Sequence, residues 1–566
     1  MKPPIAKFRF TEIITFLIIV VNFCFLPSAT LAITITVDPE TKHQTFEGWG
    51  TSLCWWAVLA GKWNEANRNK LIDAIVNPDT GLGYNCFRYN IGGGDNPSHT
   101  HLAEARAVPG FKKSETAEYD WTADQYQRNI LLGIAARGEN LIFEAFSNSP
   151  PWWMTISGCV SGNTDGADNL KPAYFTAFAD YLATVVKYYK ENWGITFRTI
   201  APFNEPSSGY WKINGGQEGC GFKNQQSRMI KELGKQLISK GLFDDTRISS
   251  ADETSLAHTV STFKNYDDST FIYLSQINSH SYGGWQSRRA VDSLARARKK
   301  ILWQSESGPL GKGDDKSDIT MWMSHVIIQD LRLMKPNAWL DWQVCDPVAN
   351  WMTIEMNHTN QSFKYTKRFY MHAAFSRFIR PGSQIIASSD TNSVAALVPS
   401  TGNLVIVLRN NANSTTPYNI DLSKCSALGS KAEIYRFSLP GSLSRQQDVP
   451  VNDKKLSFNA PGQTITTCVI PGAITPVNKS RYVESKNKLD QHHITNNTIY
   501  FHSIPGSKVK LSIYNSAGRK LTKSQYNAGN IFEKIELDRY ALANGVYLVR
   551  IEHDNTMILR NVLISR

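Results

Sequence analysis

Short runs of apolar and β-branched residues alternate with longer amphipathic stretches from about residue 46 to 345. Eight of these runs are candidate strands, at residues 45–48, 86–90, 141–147, 200–204, 247–251, 276–280, 301–306 and 339–343. Residues 66–76, 123–137, 174–192, 225–240 and 319–333 carry apolar residues three and four apart, which indicates helices. This alternation predicts a parallel sheet with crossover helices. Eight repeats over about 300 residues predict an α/β fold, a (β/α)8 TIM barrel, with its active site where the strands end.

The rest of the sequence divides into regions of different composition. From residue 374 to 472, short alternating strands with Gly, Asn and Pro turns replace the helical pattern, which predicts a β-sandwich beside the barrel. The alternating stretch 33–45 is assigned to the same sandwich, which leaves residues 46–373 for the barrel. Residues 473–493 are polar and contain proline, as is typical of a linker. Residues 494–566 are predicted to form a small C-terminal all-β module.

Residues 1–32 have the features of a secretory signal peptide. Lys2, Lys7 and Arg9 precede the apolar stretch 13–26, and the small residues Thr30 and Ala32 fit a cleavage site after Ala32. A membrane span needs about 20 apolar residues, and this stretch is shorter. We therefore expect an exported protein.

The formal net charge of +12 raises the question of a nucleic-acid partner. Half of this excess lies in residues 481–566, which hold 13 Lys and Arg against 7 Asp and Glu, and residues 33–480 carry a net charge of only +4. We therefore expect no nucleic-acid partner.

Loss of the signal peptide would leave seven cysteines, an odd number that requires at least one free thiol. Cys425 and Cys468 lie in the same region and could form a disulfide. Buried free thiols are the alternative, and the sequence does not decide between them.

Polar residues stand at the ends of several predicted strands, where a barrel places its active site. They are Arg88, Asn90, Ser147, Asn148, Asn204, Glu205, His280, Tyr282, Glu306, Trp342 and Gln343. The two carboxylates follow the fourth and seventh strands, so they would face each other across the barrel mouth.

Two carboxyl groups about 5 Å apart suit double displacement at the anomeric carbon of a sugar. Glu306 would attack this carbon, while Glu205 would protonate the leaving oxygen and then activate water. The Asn204 amide would bind the sugar 2-hydroxyl. Arg88 would keep Glu306 ionised, and His280 and Tyr282 would position the pair. The alternative is two unrelated acids in loops.

Six motifs in order along the chain resemble those of glycoside hydrolase family 30. They are "FEGWGTSLCWWA" (46–57), "FRYNIGGG" (87–94), "FSNSPPWWM" (146–154), "PFNEP" (202–206), "NSHSY" (278–282) and "LWQSESG" (302–308). The resemblance covers about residues 33–472. It implies a (β/α)8 barrel with a side β-sandwich and retaining hydrolysis by Glu205 and Glu306.

Within that family, the Trp-rich opening is most similar to endo-β-1,6-galactanases, which implies a β-1,6-galactan or arabinogalactan substrate. Family xylanases that hold a glucuronate use a basic residue after the eighth strand, and the loop "VCDPVANW" (344–351) has none. The alternatives are a glucosylceramidase or β-glucosidase, a β-fucosidase, a xylanase, or a non-catalytic glycan-binding protein. Candidates for stacking on sugar rings, about half of which we expect to face the groove, are Trp55, Trp56, Trp152, Trp153, Trp211 and Trp285.

The sequence gives no sign of a cofactor. His99 and His101 in "HTH" could suggest a metal, but no adjacent acid completes a ligand set, and a polar loop is the preferred interpretation. The spacing of the glycines after Asn90 does not fit a phosphate-binding loop. We therefore expect neither a metal nor a cofactor.

The C-terminal module resembles the sorting domain of type IX secretion. The resemblance rests on "VKLSIYNSAGRKL" (509–521) and "LANGVYLVRI" (542–551). It implies the type IX secretion machinery as a partner and a protein that is secreted or attached to the outer-membrane surface. A small carbohydrate-binding module is the alternative. We expect a monomer.

Overall fold

The computed structural model describes residues 31–99, 101–309, 317–345, 352–439, 442–473 and most of 494–564. The chain forms two compact units, Met1–Asn478 and Lys479–Arg566. The predicted signal peptide and linker lie almost entirely outside the described residues, as do residues 346–351 of the loop after the last barrel strand. The predicted domain boundaries therefore stay predictions.

Eight parallel strands close into a barrel in sequence order, which confirms the predicted fold. They are β2 (Gly48–Ser52), β3 (Cys86–Asn90), β4 (Ile142–Phe146), β5 (Thr199–Ala201), β6 (Arg247–Glu253), β7 (Leu274–His280), β8 (Ile301–Ser307) and β9 (Ala338–Asp341). β9 pairs with β2 and closes the ring. Nearly every strand residue is buried, because side chains fill the interior of such a barrel and helices cover its outside.

Ten α-helices are present in the described part of the first unit. They are α1 (Trp56–Ala60), α2 (Glu65–Val76), α3 (Gln125–Arg137), α4 (Phe175–Trp193), α5 (Gln226–Ser239), α6 (Leu256–Lys264), α7 (Asp268–Phe271), α8 (Arg288–Ala297), α9 (Ser317–Gln329) and α10 (Lys367–Ser376). The five predicted helices correspond to α2, α3, α4, α5 and α9. The sequence did not predict α1, α6, α7, α8 or α10, which have ten residues or fewer, so they offer little periodicity to detect.

A second sheet lies beside the barrel within the first unit. It takes its strands from both ends of the barrel sequence: β1 (Ile33–Phe46) pairs antiparallel with β12 (Ser383–Ser388) and parallel with β15 (Thr416–Asp421). Its other strands are β13 (Ser393–Val398), β14 (Asn403–Asn410), β16 (Lys431–Ser438), β17 (Leu443–Arg445), β18 (Val449–Asn452), β19 (Lys455–Ala460) and β20 (Thr464–Ile470). Ile35, Val37, Ile406 and Ile434 belong to its own apolar core. A separate hairpin joins β10 (Ile354–Asn357) to β11 (Ser362–Tyr365).

The second unit is built from two small antiparallel sheets. One contains β21 (Ile494–Thr495), β22 (Thr498–His502) and β25 (Phe532–Glu536), and the other contains β23 (Lys508–Asn515), β24 (Lys520–Asn527), β26 (Gly545–His553) and β27 (Thr556–Ile564). Val509, Leu511, Ile513 and Val549 form part of its core. The predicted all-β character of this module is confirmed.

The seven described cysteines form no disulfide with one another, and all are buried. The possible disulfide between Cys425 and Cys468 therefore does not form, and the alternative of buried thiols holds. Among the described residues, no helix combines the length and the apolar character that crossing a membrane requires.

Candidate active site

Glu205 and Glu306 meet at the carboxyl-terminal end of the barrel. Glu205 lies just after β5, and Glu306 is the penultimate residue of β8. A carboxylate oxygen of each and a ring nitrogen of His280 lie within 4.8 Å of one another. The two glutamates are only 6% and 5% exposed, so their charges interact with little screening by water.

Three side chains contact the carboxylate of Glu306. The Tyr282 hydroxyl donates a hydrogen bond to Oε1 over 3.0 Å, and Arg88 Nη1 donates to Oε2 over 3.3 Å. His280 Nδ1 lies 3.5 Å from Glu306 Oε1 and 2.9 Å from Glu205 Oε1, so the imidazole bridges the two acids. These groups favour the ionised form of Glu306.

Arg88 is fully buried beneath the pair and contacts three carboxylates. Besides Glu306, it donates to Glu144 Oε1 over 3.0 Å and to Asp252 Oδ1 over 2.9 Å. Its guanidinium group also lies over the Phe146 ring, 4.1 Å from the centroid. The sequence prediction placed Arg88 near Glu306 but missed Glu144 and Asp252. An acid inside the apolar run "IFEAF" was the available signal for Glu144, because a carboxylate is almost never fully buried unless it is paired.

Burial and mutual charge perturb the titration of this cluster. Burial and the charge of Glu205 raise the pKa of Glu306, while His280 and Arg88 lower it, and the net pKa is about 7. Burial by itself would lower the pKa of His280, but Glu306, Asp252 and Glu205 outweigh it and raise that pKa to about 10. His280 is therefore an imidazolium at neutral pH, a form that donates from both nitrogens and cannot bind a metal.

The backbone at Glu205 is held in a left-handed conformation, with φ 47°. Such a conformation costs a glutamate about 1 kcal/mol or more and persists where neighbouring groups fix it. Here the Glu205 N–H donates to the carbonyl of Asp252 over 2.8 Å, and Trp211 Nε1 donates to the carbonyl of Glu205 over 2.8 Å. These bonds aim the carboxylate at Glu306.

A cavity of about 420 Å³ opens over the acid pair. Its lining includes the pair itself and four residues that the sequence predicted, Asn148, Asn204, Tyr282 and Trp342. It also includes five residues absent from the predicted set: Arg106, Tyr210, Gln217, Thr254 and Gln343. Arg106, Tyr210 and Gln217 lie far from any strand end, so a local pattern could not reveal them. Thr254 directly follows β6, but the predicted strand ended at residue 251. Gln343 was noted at a strand end but not assigned to the site.

Comparison with known proteins places the chain in a family. The sequence profile of O-glycosyl hydrolase family 30 matches residues 32–351, more than half of the chain. The chain belongs to glycoside hydrolase family 30. The resemblance drawn from the six motifs is thereby confirmed, and the protein is a glycoside hydrolase.

Two characterised relatives cover most of this family 30 chain. An endo-β-1,6-galactanase of Hypocrea rufa is 31% identical over 486 residues, which are 79% of this chain and 98% of that protein. An endo-1,6-β-D-glucanase of Aspergillus fumigatus is 23% identical over 480 residues, 78% of this chain and 88% of that protein.

Solved structures share the fold of this hydrolase. A conserved exported protein from Bacteroides fragilis superimposes with a TM-score of 0.67 at 20% identity, covering 77% of this chain and 100% of that one. The catalytic domain of a family 30 xylanase C from Talaromyces cellulolyticus gives a TM-score of 0.61 at 20% identity, covering 77% and 99%. At this identity the likeness establishes the barrel fold alone.

The C-terminal unit matches a second profile. Residues 493–565 match the secretion system C-terminal sorting domain. The predicted type IX sorting module is thereby confirmed, and the hydrolase is an exported protein.

The tryptophans of the hydrolase divide between core and surface. Trp55, Trp56 and Trp211 are buried, so the expectation that they stack on sugar does not fit their positions. Trp56 Nε1 donates to the carbonyl of Ser52, which anchors its ring in the core. Trp342 lines the cavity over the acid pair and contacts Trp55 edge to face, with ring centroids 6.2 Å apart.

The three remaining candidate tryptophans are partly exposed, but none of them lines the cavity over the acid pair. Trp152 and Trp153 line a separate surface cavity of about 470 Å³. Trp285 is 36% exposed, and its Nε1 donates to the carbonyl of Ser281.

Asn90 lies below the cavity rather than in its lining. Its Nδ2 donates to Glu218 Oε2 over 2.9 Å, and its Oδ1 accepts from the backbone N–H of Asn148 over 3.2 Å. Asn90 therefore holds Asn148, which does line the cavity, and connects it to the loop that follows β5.

Proposed function

We propose that this protein is an endo-acting, retaining glycoside hydrolase that cleaves β-1,6-galactan. The observation that carries the mechanism is the separation of the two acids, whose oxygens lie within 4.8 Å of each other. Retaining enzymes hold their carboxyl groups about 5–5.5 Å apart, whereas inverting enzymes leave room for a water molecule at about 6.5–9.5 Å. The substrate and the endo action rest on the likeness to the Hypocrea rufa endo-β-1,6-galactanase, which spans nearly its whole length.

In the first step, an oxygen of Glu306 attacks the anomeric carbon and forms a covalent glycosyl ester. Glu205 gives its proton to the departing glycosidic oxygen as the bond to the anomeric carbon breaks. In the second step, Glu205 takes a proton from water, and this water attacks the same carbon and releases Glu306. Both steps invert the carbon, so the product keeps the β configuration.

The surroundings of the two acids support this division of roles. Glu306 has contacts with Arg88, Tyr282 and His280, which stabilise an anion. Glu205 has a hydrogen bond to His280, and it faces the cavity where a leaving group would lie. Because two close carboxylates resist simultaneous ionisation, the pair retains one proton in its active form.

Asn204 is suited to bind the sugar beside Glu205. Its side-chain Oδ1 is buried and has no hydrogen-bond partner among the described residues, although Asn204 lines the cavity. An unsatisfied buried acceptor costs about 1–3 kcal/mol, and a sugar hydroxyl would satisfy it. We assign Asn204 to the 2-hydroxyl and Trp342 to one face of the sugar ring.

Product analysis tests this proposal. The protein is incubated with de-arabinosylated β-1,6-galactan, with β-1,6-glucan and with glucuronoxylan, and the products are separated by size. Short galacto-oligosaccharides from galactan alone are expected, with the β-anomer appearing first in NMR spectra of the fresh product. An initial α-anomer would contradict the retaining mechanism, and intact galactan would contradict the substrate assignment.

A second candidate activity is the cleavage of β-1,6-glucan. It is favoured by the likeness to the endo-1,6-β-D-glucanase of Aspergillus fumigatus, at lower identity than the galactanase. Galactose and glucose differ in the orientation of one hydroxyl, so the parallel incubation with β-1,6-glucan separates the two activities.

We further propose that Glu306→Gln abolishes cleavage while the chain still binds galactan. Glutamine keeps the shape of the side chain but cannot form the ester, so kcat should fall by roughly 10⁴-fold. Full activity in this variant would contradict the role of Glu306, and a wild-type chain that binds without cleaving would favour a glycan-binding protein instead.

A further inference from the structure

Three potential metal ligands converge in the loops that follow β3 and β4, and a fourth candidate lies beside one of them. One ligand atom each from Asp95, His99 and Cys159 lies within 4.8 Å of the other two. His101 Nε2 lies 3.7 Å from Cys159 Sγ and also contacts Ser161 Oγ at 3.2 Å, which makes it the candidate for a fourth ligand. The sequence suggested His99 and His101 but no acid, and folding supplies both Asp95 and Cys159.

Two of the distances between these donors are close to those around a single zinc ion. His99 Nδ1 lies 3.9 Å from Asp95 Oδ1, and His101 Nε2 lies 3.7 Å from Cys159 Sγ. Ligand atoms of a tetrahedral Zn²⁺ site lie roughly 3.3–3.6 Å apart, given the usual zinc–ligand bond lengths.

His99 Nδ1 provides an independent observation. This atom is buried and has no hydrogen-bond partner among the described residues, and its distance to Asp95 is too long for a hydrogen bond. A buried nitrogen without a partner is costly, and a metal ion would satisfy it. Cys159 is fully buried, and its Sγ points to the same place, where it also contacts Ser161 Oγ at 3.1 Å.

The cluster lies where three loops of the cavity wall are joined. Asn96 Nδ2 donates to the carbonyl of Gly158, which links the loops after β3 and β4. Ser161 Oγ donates to the carbonyl of Lys212, which links the second loop to the loop after β5. Arg106 Nη1 donates to Gln217 Oε1, and both of these residues line the cavity over the acid pair.

We propose that Asp95, His99, His101 and Cys159 bind one structural Zn²⁺ ion that fastens this wall of the cavity. Cysteine with histidine and one carboxylate is a donor set that zinc accepts, and four protein ligands leave no position open for catalysis. Binding requires the Cys159 thiolate, so one proton is released from this thiol as the Zn–S bond forms. The ion takes no part in the chemistry of the acid pair.

Zinc titration of the untagged full chain tests this proposal. The chain is stripped with a chelator and then titrated with Zn²⁺ in competition with a chromophoric chelator. The wild type should bind one equivalent, and His99→Ala and Cys159→Ser should weaken this binding at least about tenfold. His258→Ala, at an exposed histidine, and Cys468→Ser, at a cysteine of the second sheet, serve as matched controls and should bind like the wild type.

Two further measurements separate this site from other zinc binding. Co²⁺ in place of zinc should give a thiolate charge-transfer band in the near ultraviolet that Cys159→Ser lacks, because the band requires a Co–S bond. Zinc held by the acid pair would persist in His99→Ala, a change in a partly exposed loop residue that the fold should tolerate.

One equivalent of zinc should also raise the melting temperature of the wild type by several degrees and leave that of His99→Ala unchanged. The proposal is wrong if the wild type takes up no zinc, or if His99→Ala and Cys159→Ser bind zinc as tightly as the two controls. Neither result depends on the substrate, so the proposed hydrolase activity is tested separately.

Discussion

Arg88 is the residue on which the charge balance of the site depends. It is buried among Glu144, Asp252 and Glu306 and pairs with each of them. Burial would raise the pKa of Asp252, but Arg88 and His280 outweigh it and hold this pKa below its ordinary value. The sequence identified the arginine because it lies in the strand of the motif "FRYNIGGG", two residues before the end of that strand. It could not identify its partners, since Glu144 and Asp252 are 56 and 164 residues away along the chain.

We predict that Arg88→Met lowers the free energy of unfolding by about 3–5 kcal/mol, because removal of one partner leaves buried charges uncompensated. Urea unfolding followed by tryptophan fluorescence measures this loss. Arg68→Met is the matched control, at a partly exposed arginine that bonds only backbone carbonyls in the described structure, and it should cost much less. Equal losses in the two variants would show that the ion pairs of Arg88 with buried carboxylates do not account for its effect on stability.

The acid pair predicts the pH dependence of the reaction. Burial raises the pKa of Glu306 to about 7, which marks the loss of the last proton that the pair shares. The active form holds one proton, so kcat/KM should fall as the pH rises above about 7, and it should also fall in acid when both groups are protonated. A pH profile on galactan from pH 3 to about 9 measures both limbs. A rate that stays level up to pH 9 would contradict the sharing of a proton.

Glu205→Gln should separate the role of the general acid from that of the nucleophile. We predict a loss of roughly 10²–10⁴-fold on galactan, whose leaving group needs a proton, and a much smaller loss in the first step on an aryl galactoside with a good leaving group. Equal losses on both substrates would contradict the role of Glu205 as the acid.

The elements were easier to predict from sequence than the site was. All eight barrel strands were expected near their actual positions, because buried parallel strands are short apolar runs that a local pattern reveals. β1 joins a sheet whose other strands follow the barrel along the chain. The alternation of apolar and polar residues in "ITITV" predicted that this stretch is a strand. Its pairing with β12 and β15 depends on chain segments more than 300 residues away.

We predict that Ile35→Ala in β1 lowers the free energy of unfolding by about 2–5 kcal/mol, because Ile35 is fully buried in the core of the second sheet. Thr34→Ala, at the adjacent exposed position, should change it by less than about 0.5 kcal/mol. Thermal unfolding of both variants measures the difference, and kcat should match the wild type in each. A similar loss in both variants would mean that the buried face of β1 is not the face that carries Ile35.

At the scale of the whole molecule, the chain divides into a unit that holds the acid pair and a second unit that matches a sorting domain. We predict that a chain ending at residue 478 keeps the kcat and the melting temperature of the wild type, because the two units have separate apolar cores. In a host with type IX secretion, the same truncation should abolish delivery to the cell surface. Loss of activity in the purified truncated chain would contradict the independence of the first unit.

The sequence by itself determined the barrel, the family and the two glutamates, because periodicity and contiguous motifs are local properties of a chain. Only the tertiary structure decided that Trp55, Trp56 and Trp211 are buried, that Cys425 and Cys468 do not pair, and that Asp95 and Cys159 lie close to His99. Each of these outcomes depends on contacts that loops make after the strands have closed. No local pattern records such contacts, since they follow from how distant segments pack against one another.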